Sequence, residues 1–182
     1  MTVPSSDVEL ITGLRAGDER AFEAVFRAYH ARLCSYAYRY LRQQADADEV
    51  VQDLFLALWQ KRDALVIRSS LRAYLFAATH HRVLNRSARA RLEQRWLQEG
   101  GGSELDIPDE AAPADEVLAG AQLAARVQAA LDALPPGCRR VLQLRWLDQL
   151  SYVEIAEVLG ISTKGVENQL ARARKALRVS LG

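Results

Sequence analysis

The amino-acid sequence predicts an all-α protein, two small helical domains joined by a flexible acidic linker. Three observations carry that expectation. Apolar residues recur every three or four positions through most of the 182 residues, and nowhere in strand-like alternation. Serine or aspartate precedes several of these stretches, and glycine or proline follows several. Between them Gly100 to Gly102, a run of acids, Pro108 and Pro113 interrupt all helical patterning. The boundaries read from this are 1–96 for the first domain, 97–116 for the linker and 117–182 for the second.

Ser6 and Glu9 form an S-x-x-E capping box at the start of a short helix, which Gly17 stops, and Asp18 caps a long one. In that long helix Phe22, Val25, Phe26, Tyr29, Leu33, Tyr36, Tyr40 and Leu41 follow helical spacing and read as a core stripe. Asp46 is expected to cap the next helix, with Val51, Leu54, Phe55 and Leu58 on its apolar side. Asp48, Glu49, Gln52, Asp53 and Leu56 lie toward the other. A leucine among exposed acids suggests a docking surface; the plainer reading is a solvated acidic face.

Periodicity breaks between Asp63 and Ser70, and Ser69 or Ser70 caps a helix from Leu71 to about Arg95. Leu71, Tyr74, Leu75, Ala78 and Leu84 are expected to pack inward. From Arg68 to Arg95 there are seven arginines (Arg68, Arg72, Arg82, Arg86, Arg89, Arg91, Arg95) against Glu93 alone, with Tyr74, Phe76, His80 and His81 interleaved. That composition reads either as a solvated basic face or as a surface for unpaired nucleic acid, where flat side chains stack on bases at ~1–3 kcal/mol each. His80 and His81 are sequence neighbours that point in different directions, a poor metal pair.

A flexible linker of ~20 residues spans about 25 Å on average and ~65 Å at full stretch. Two contacts along one duplex, whose turn is ~34 Å, are within that reach. Beyond it Val117 to Leu134 reads as an alanine-rich helix with Val117, Leu118, Ala121, Ala125, Val127 and Leu131 for packing. Pro135, Pro136 and Gly137 are expected to end it, and Cys138 to Gln149 to form the next helix on Val141, Leu142, Leu144 and Leu147.

The stretch Ser151 to Arg178, SYVEIAEVLGISTKGVENQLARARKALR, reads as two helices around a tight turn. Ser151 and Glu154 make a capping box, Ile155, Ala156 and Leu159 share a face, and Gly160 ends the first helix. Ile161 is expected to be the buried residue of the turn, and Ser162 or Thr163 to cap the second helix. There Val166, Leu170, Ala173 and Leu177 pack, leaving Lys164, Glu167, Asn168, Ala171, Arg172 and Lys175 outward. A helix in the major groove needs polar groups near its N-terminus and cations where it passes phosphates. Asn168 suits adenine, Arg172 guanine and Glu167 a cytosine amino group, while Arg174, Lys175 and Arg178 suit phosphates.

Net charge is +1, but it is segregated: Leu97 to Glu116 holds seven acids and no cation. Cys34 and Cys138 lie far apart, which disfavours a disulfide or zinc cluster, and no cofactor or metal is expected. With no basic-then-apolar leader and no apolar run near the ~20 residues that cross a bilayer, the expectation is a cytoplasmic protein without membrane insertion. No clustered nucleophile and base, paired carboxylates or metal spacing suggests an enzyme.

Three motifs in order, DADEVVQDLFLALW, SSLRAYLFAATHHRVLNRSARAR and LPPGCRRVLQLRWLDQLSYVEIAEVLGIS with its following helix, resemble the extracytoplasmic-function sigma factors. Together they cover about four-fifths of the chain. RDALVIRSSLRAYLF and GVENQLARA look like the iron-dicitrate-regulator and Bacteroides-expansion branches. The resemblance implies a sigma region 2 bundle and a sigma region 4 helix-turn-helix, and a chain that gives bacterial core RNA polymerase its promoter specificity without chemistry of its own. It implies that Asp48, Glu49, Gln52, Asp53 and Leu56 dock on the clamp helices of the largest polymerase subunit. The −10 element would be melted and captured by Arg68, Ser69, Ser70, Arg72, Tyr74, His80, His81, Asn85, Arg86 and Arg89. It implies −35 reading by Lys164, Glu167, Asn168, Ala171, Arg172, Arg174, Lys175 and Arg178, a contact with the flap of the second-largest subunit, and a cognate anti-sigma factor. The chain departs from many relatives in having His81 for Asn, Asn85 for Asp and Glu167 for a cation. The rival reading is a helix-turn-helix regulator acting without polymerase. It calls for a phosphorylatable α/β domain or a ligand pocket upstream, and the helical, basic first half suggests neither.

Overall fold

The computed structural model of the chain describes residues 7–67, 69–98 and 126–181, with backbone only for 91–98 and 181. All regular elements among these residues are helical, and the chain divides into two compact units. The Ser6 half of the first capping box, Arg68, and the linker beyond Gln98 lie outside the described residues.

In the N-terminal unit α1 (Asp7–Ala16) ends in a Schellman turn. Gly17, at φ 75°, donates to the Leu14 carbonyl at 3.0 Å and Asp18 to that of Gly13 at 2.9 Å. Asp18 then caps α2 (Glu19–Leu41), its carboxylate accepting from the Arg20 amide at 2.9 Å. Arg42 ends α2 in the left-handed conformation, at φ 58°.

The chain re-enters a helix at once, so α3 (Gln44–Gln60) begins earlier than its sequence suggests. Gln43 is the N-cap and makes no side-chain capping bond. Asp46, expected as the cap, lies in the first turn, where its charge still favours the helix dipole. A short 3-10 turn (Arg62–Ala64) follows, and Arg15 donates twice to the Leu65 carbonyl, at 3.1 and 2.7 Å, tying this loop to α1.

Ser70 caps α4 (Leu71–Gln98), accepting from the Ala73 amide at 3.0 Å, and Asp7 of α1 takes the Leu71 amide at 3.0 Å. The helix runs three residues past its expected end near Arg95 and so two residues into the expected linker. The core sits where α2, α3 and α4 meet: Val25, Leu33 and Tyr36 against Val51, Leu54 and Phe55, with Leu71, Leu75, Phe76 and Val83. Phe26 of the expected core stripe is exposed at the edge, stacked near Phe55 at 4.8 Å between centroids.

In the C-terminal unit α5 covers residues 126–132 of the described chain. Ala130 is its buried residue, as is Leu134 in the turn that follows, whereas Val127 is exposed. Pro136 and Gly137 do not end that helix but begin α6 (Pro136–Trp146). Proline's missing amide costs nothing in a first turn, where the amide has no partner. Leu147, expected in the core, is exposed, and the chain turns so that Leu150 is buried instead. Both free cysteines, Cys34 and Cys138, are buried.

Candidate functional site

Ser151 and Glu154 cap each other: the Glu154 carboxylate takes the Ser151 amide at 2.8 Å and the Ser151 hydroxyl takes the Glu154 amide at 3.3 Å. This starts α7 (Tyr152–Leu159). Gly160, at φ 64°, and Ile161 close it, the Ile161 amide reaching the Ala156 carbonyl at 3.0 Å. Ile161 is half-buried rather than fully enclosed. Ser162 accepts from the Gly165 amide at 3.0 Å and starts α8 (Thr163–Leu181).

Burial along α8 separates packing from reading. Val166, Leu170 and Ala173 are fully enclosed, while Lys164, Glu167, Asn168, Ala171, Arg172, Arg174, Lys175 and Arg178 are all exposed. Lys164 donates to Glu167 at 2.8 Å, and this bond, with the carboxylate charge, raises the ammonium above its ordinary pKa. The helix thus presents two amide or cationic groups, Asn168 and Arg172, one turn apart, behind an acid already partnered by a lysine.

On α3 the expected division holds: Val51, Leu54, Phe55 and Leu58 are buried, and Glu49, Gln52, Asp53 and Leu56 are exposed. Leu56 keeps 56% of its surface in solvent among these acids. Asp48 is half-buried, accepts from Gln44 at 2.8 Å and lies beside Cys34, whose thiol is pushed up to about 11 by burial first and by Asp48 second.

α4 differs from expectation at four residues. Phe76 and His80, expected on the basic face, are buried. His80 Nδ1 lies 2.8 Å from the Tyr36 hydroxyl of α2, and the two rings meet edge to face, so His80 packs in the core. Leu84, expected inside, is exposed. Arg86, expected on DNA, spends both terminal nitrogens on α3. Nη2 donates to Asp46 at 2.6 Å and Nη1 pairs with Glu49 at 2.8 Å.

Those bonds, the Asp46 hydrogen bond foremost, raise the guanidinium above its ordinary pKa. The spacing Ala73, Phe76, His80, Val83 was the available signal for His80, a three-four-three apolar row with one polar member. Ser69, His81, Asn85 and Arg89 are exposed, and Arg72 and Tyr74 half-buried. Among the described residues no cluster suited to a metal occurs, and no helix is long and apolar enough to cross a membrane.

Comparison with known proteins matches residues 25–93 to the family described as Sigma-70 region 2, and residues 124–177 to Sigma-70, region 4. The RNA polymerase sigma factor CnrH of Cupriavidus metallidurans is 30% identical over all of this chain and 97% of its own length. The ECF RNA polymerase sigma factor SigL of Mycobacterium tuberculosis is 30% identical over 94% of each chain. SigW of Bacillus subtilis is 25% identical over the same shares.

Among solved structures, CnrH in complex with the cytosolic domain of CnrY covers 97% of both chains at 27% identity, with a TM-score of 0.65. The sigma factor RpoE of Bartonella quintana, solved with the anti-sigma factor NepR, shares the fold at a TM-score of 0.61. It covers 88% of this chain and 96% of its own at 21% identity.

Proposed function

This chain belongs to the extracytoplasmic-function family of RNA polymerase sigma factors, and we propose how its two units divide the work of initiation. As a family member it is a non-enzymatic factor that binds core polymerase and directs it to promoters. Its C-terminal unit carries the helix-turn-helix. The observation that most supports the division of labour is the exposed row on α8, Lys164, Glu167, Asn168, Ala171 and Arg172, ahead of Arg174, Lys175 and Arg178.

In our reading this row enters the major groove at −35, with the last three cations on phosphates. Asp48, Glu49, Gln52, Asp53 and Leu56 of α3 form the docking face for the polymerase clamp helices, and the flap of the second-largest subunit meets the C-terminal unit. Ser69, Ser70, Arg72, Tyr74, His81, Asn85 and Arg89 line the −10 contact, and Arg68, their neighbour in sequence, is assigned to it by the family resemblance alone. His80 and Arg86 drop out of that set.

Holding bases extruded from the duplex offsets part of the unstacking cost, a few kcal/mol per base. The functional division is 1–96, 97–116 and 117–182, with α4 extending slightly past the first boundary. An anti-sigma partner is supported by the complexes in which similar sigma factors were solved. A cytoplasmic location follows from the polymerase being its partner. The iron-dicitrate-regulator and Bacteroides-expansion branch rests on the RDALVIRSSLRAYLF and GVENQLARA stretches alone.

Transcription in vitro with purified core polymerase on genomic fragments tests the reading. Defined start sites that appear only with this chain are expected; failure to bind core where another sigma factor does would refute it. More narrowly, Asp53→Arg with Leu56→Arg places two cations on the docking face and should lower core affinity at least about 100-fold. Far-UV circular dichroism should be unchanged, because both side chains are exposed.

A further inference from the structure

We propose that Arg86 is a positioning residue for promoter melting: its guanidinium sets the register of α4 against α3, and so of the −10 face against the polymerase-docking face. The inference rests on the reading of those two faces given above. Asp46 and Glu49 stand three residues apart, one turn of α3, and the rigid fork of Arg86 bridges them at 2.6 and 2.8 Å across 40 residues of sequence. A lysine offers a point charge and cannot match two carboxylates in a fixed plane.

The three side chains keep 34%, 29% and 57% of their surface in solvent, too much for the pair to contribute greatly to stability. What such a bridge can do is fix the register of α4 against α3, because a two-pronged contact is lost when either helix slides. The consequence falls on the neighbours of Arg86. Asn85 adjoins it and Arg89 lies one turn on, both exposed and both in the proposed −10 face. Glu49 belongs to the proposed docking face. Arg86 therefore joins the two surfaces that must act together when polymerase holds the protein and DNA opens.

The test uses the full chain reconstituted with core polymerase, reading core affinity, permanganate reactivity of the −10 region and the salt dependence of promoter binding. The variants are Asp46→Asn, Arg86→Gln, both together, and Arg86→Lys. Asp46→Asn and Arg86→Gln are each expected to lower melting about fivefold or more, and the double variant no further than the worse single, as for residues acting through one interaction. Core affinity should stay within about threefold, and Arg86→Lys should recover part of the melting.

A direct phosphate contact by Arg86 predicts the opposite sign for Asp46→Asn, which would free the fork and strengthen promoter binding. It also predicts a salt slope about one unit shallower in Arg86→Gln. Either result overturns the inference, as does a loss of melting and core affinity in step with the folded fraction, or an Asp46→Asn variant indistinguishable from the parent chain. A parent chain that drives no melting would instead remove the sigma reading on which the inference stands.

Discussion

If α8 enters the major groove as proposed, Glu167 carries an unusual burden, since a carboxylate beside phosphates repels them. Its partner Lys164, 2.8 Å away, offsets that repulsion and holds the carboxylate on the outer face of α8. Glu167→Ala should therefore change the ranking of −35 sequences, losing preference for a cytosine by ~1–3 kcal/mol, more than it changes overall affinity. Uniformly tighter binding to every −35 variant would contradict base reading.

Cys34 gives a second residue-scale prediction. Its thiol has an ordinary pKa of 9.0 and is pushed up to about 11 in the fold, so between these values the folded chain holds a proton that the unfolded chain has lost. Stability is then intact below pH 9.0 and falls as pH rises through about 11. The loss from this group, reduced by solvent screening, is at most on the order of 1–2 kcal/mol. Denaturant unfolding at a series of pH values should show that slope in the parent chain and a shallower one in Cys34→Ala. Equal slopes would show that other groups carry it.

At the scale of helices, two glycines separate two kinds of constraint. A Cβ on Gly13 would stand 2.6 Å from the Ala21 Cβ, an atom fixed to the α2 backbone, so α1 and α2 would have to move apart. A Cβ on Gly160 would meet nothing, but φ 64° disfavours any L side chain. Gly13→Ala should cost ~1–3 kcal/mol through overpacking and Gly160→Ala about 1–2 kcal/mol through the backbone alone. Chemical denaturation followed by circular dichroism measures both. Gly160→Asn, which tolerates the left-handed region, should recover part of the second loss and would do nothing for the first.

The same contrast explains what could be read in advance. α7 and α8 were legible because their capping box, Schellman glycine and apolar spacing are local chemistry within a few residues. α4 was not, because apolar, aromatic and basic residues occur all round it. Only the arrival of Tyr36 and Asp46 from other helices decides that His80 turns inward and Arg86 sideways. The faces of α3 are legible in the sequence and its start is not, since the left-handed Arg42 lets a helix begin without a side-chain cap.

Over the whole molecule the legible features were order and sign. Helical halves with a basic first unit, an acidic intervening segment and a helix-turn-helix last are a one-dimensional pattern, and the family matches at 25–93 and 124–177 fall on that order. Long-range pairings such as Arg86 with Asp46 have no one-dimensional trace. Charge bookkeeping sets the last expectation. The chain has 24 cations and 23 acids, and the acids from Glu99 to Glu116 accompany the reading helix in the same molecule. Without polymerase its contacts to DNA are therefore expected to be few and largely to phosphate.

The free chain should bind a promoter duplex no more tightly than the ~10⁻⁴–10⁻⁶ M typical of nonspecific binding at physiological salt. Its affinity should fall steeply as salt rises. Bound to core polymerase, which joins the −35 and −10 contacts into one event, the same chain should hold the same duplex at least about 100-fold more tightly. Fluorescence anisotropy of a labelled duplex across a salt series measures both states. A nanomolar affinity for the free chain, unchanged by polymerase, would favour a regulator that works alone and count against a shared grip.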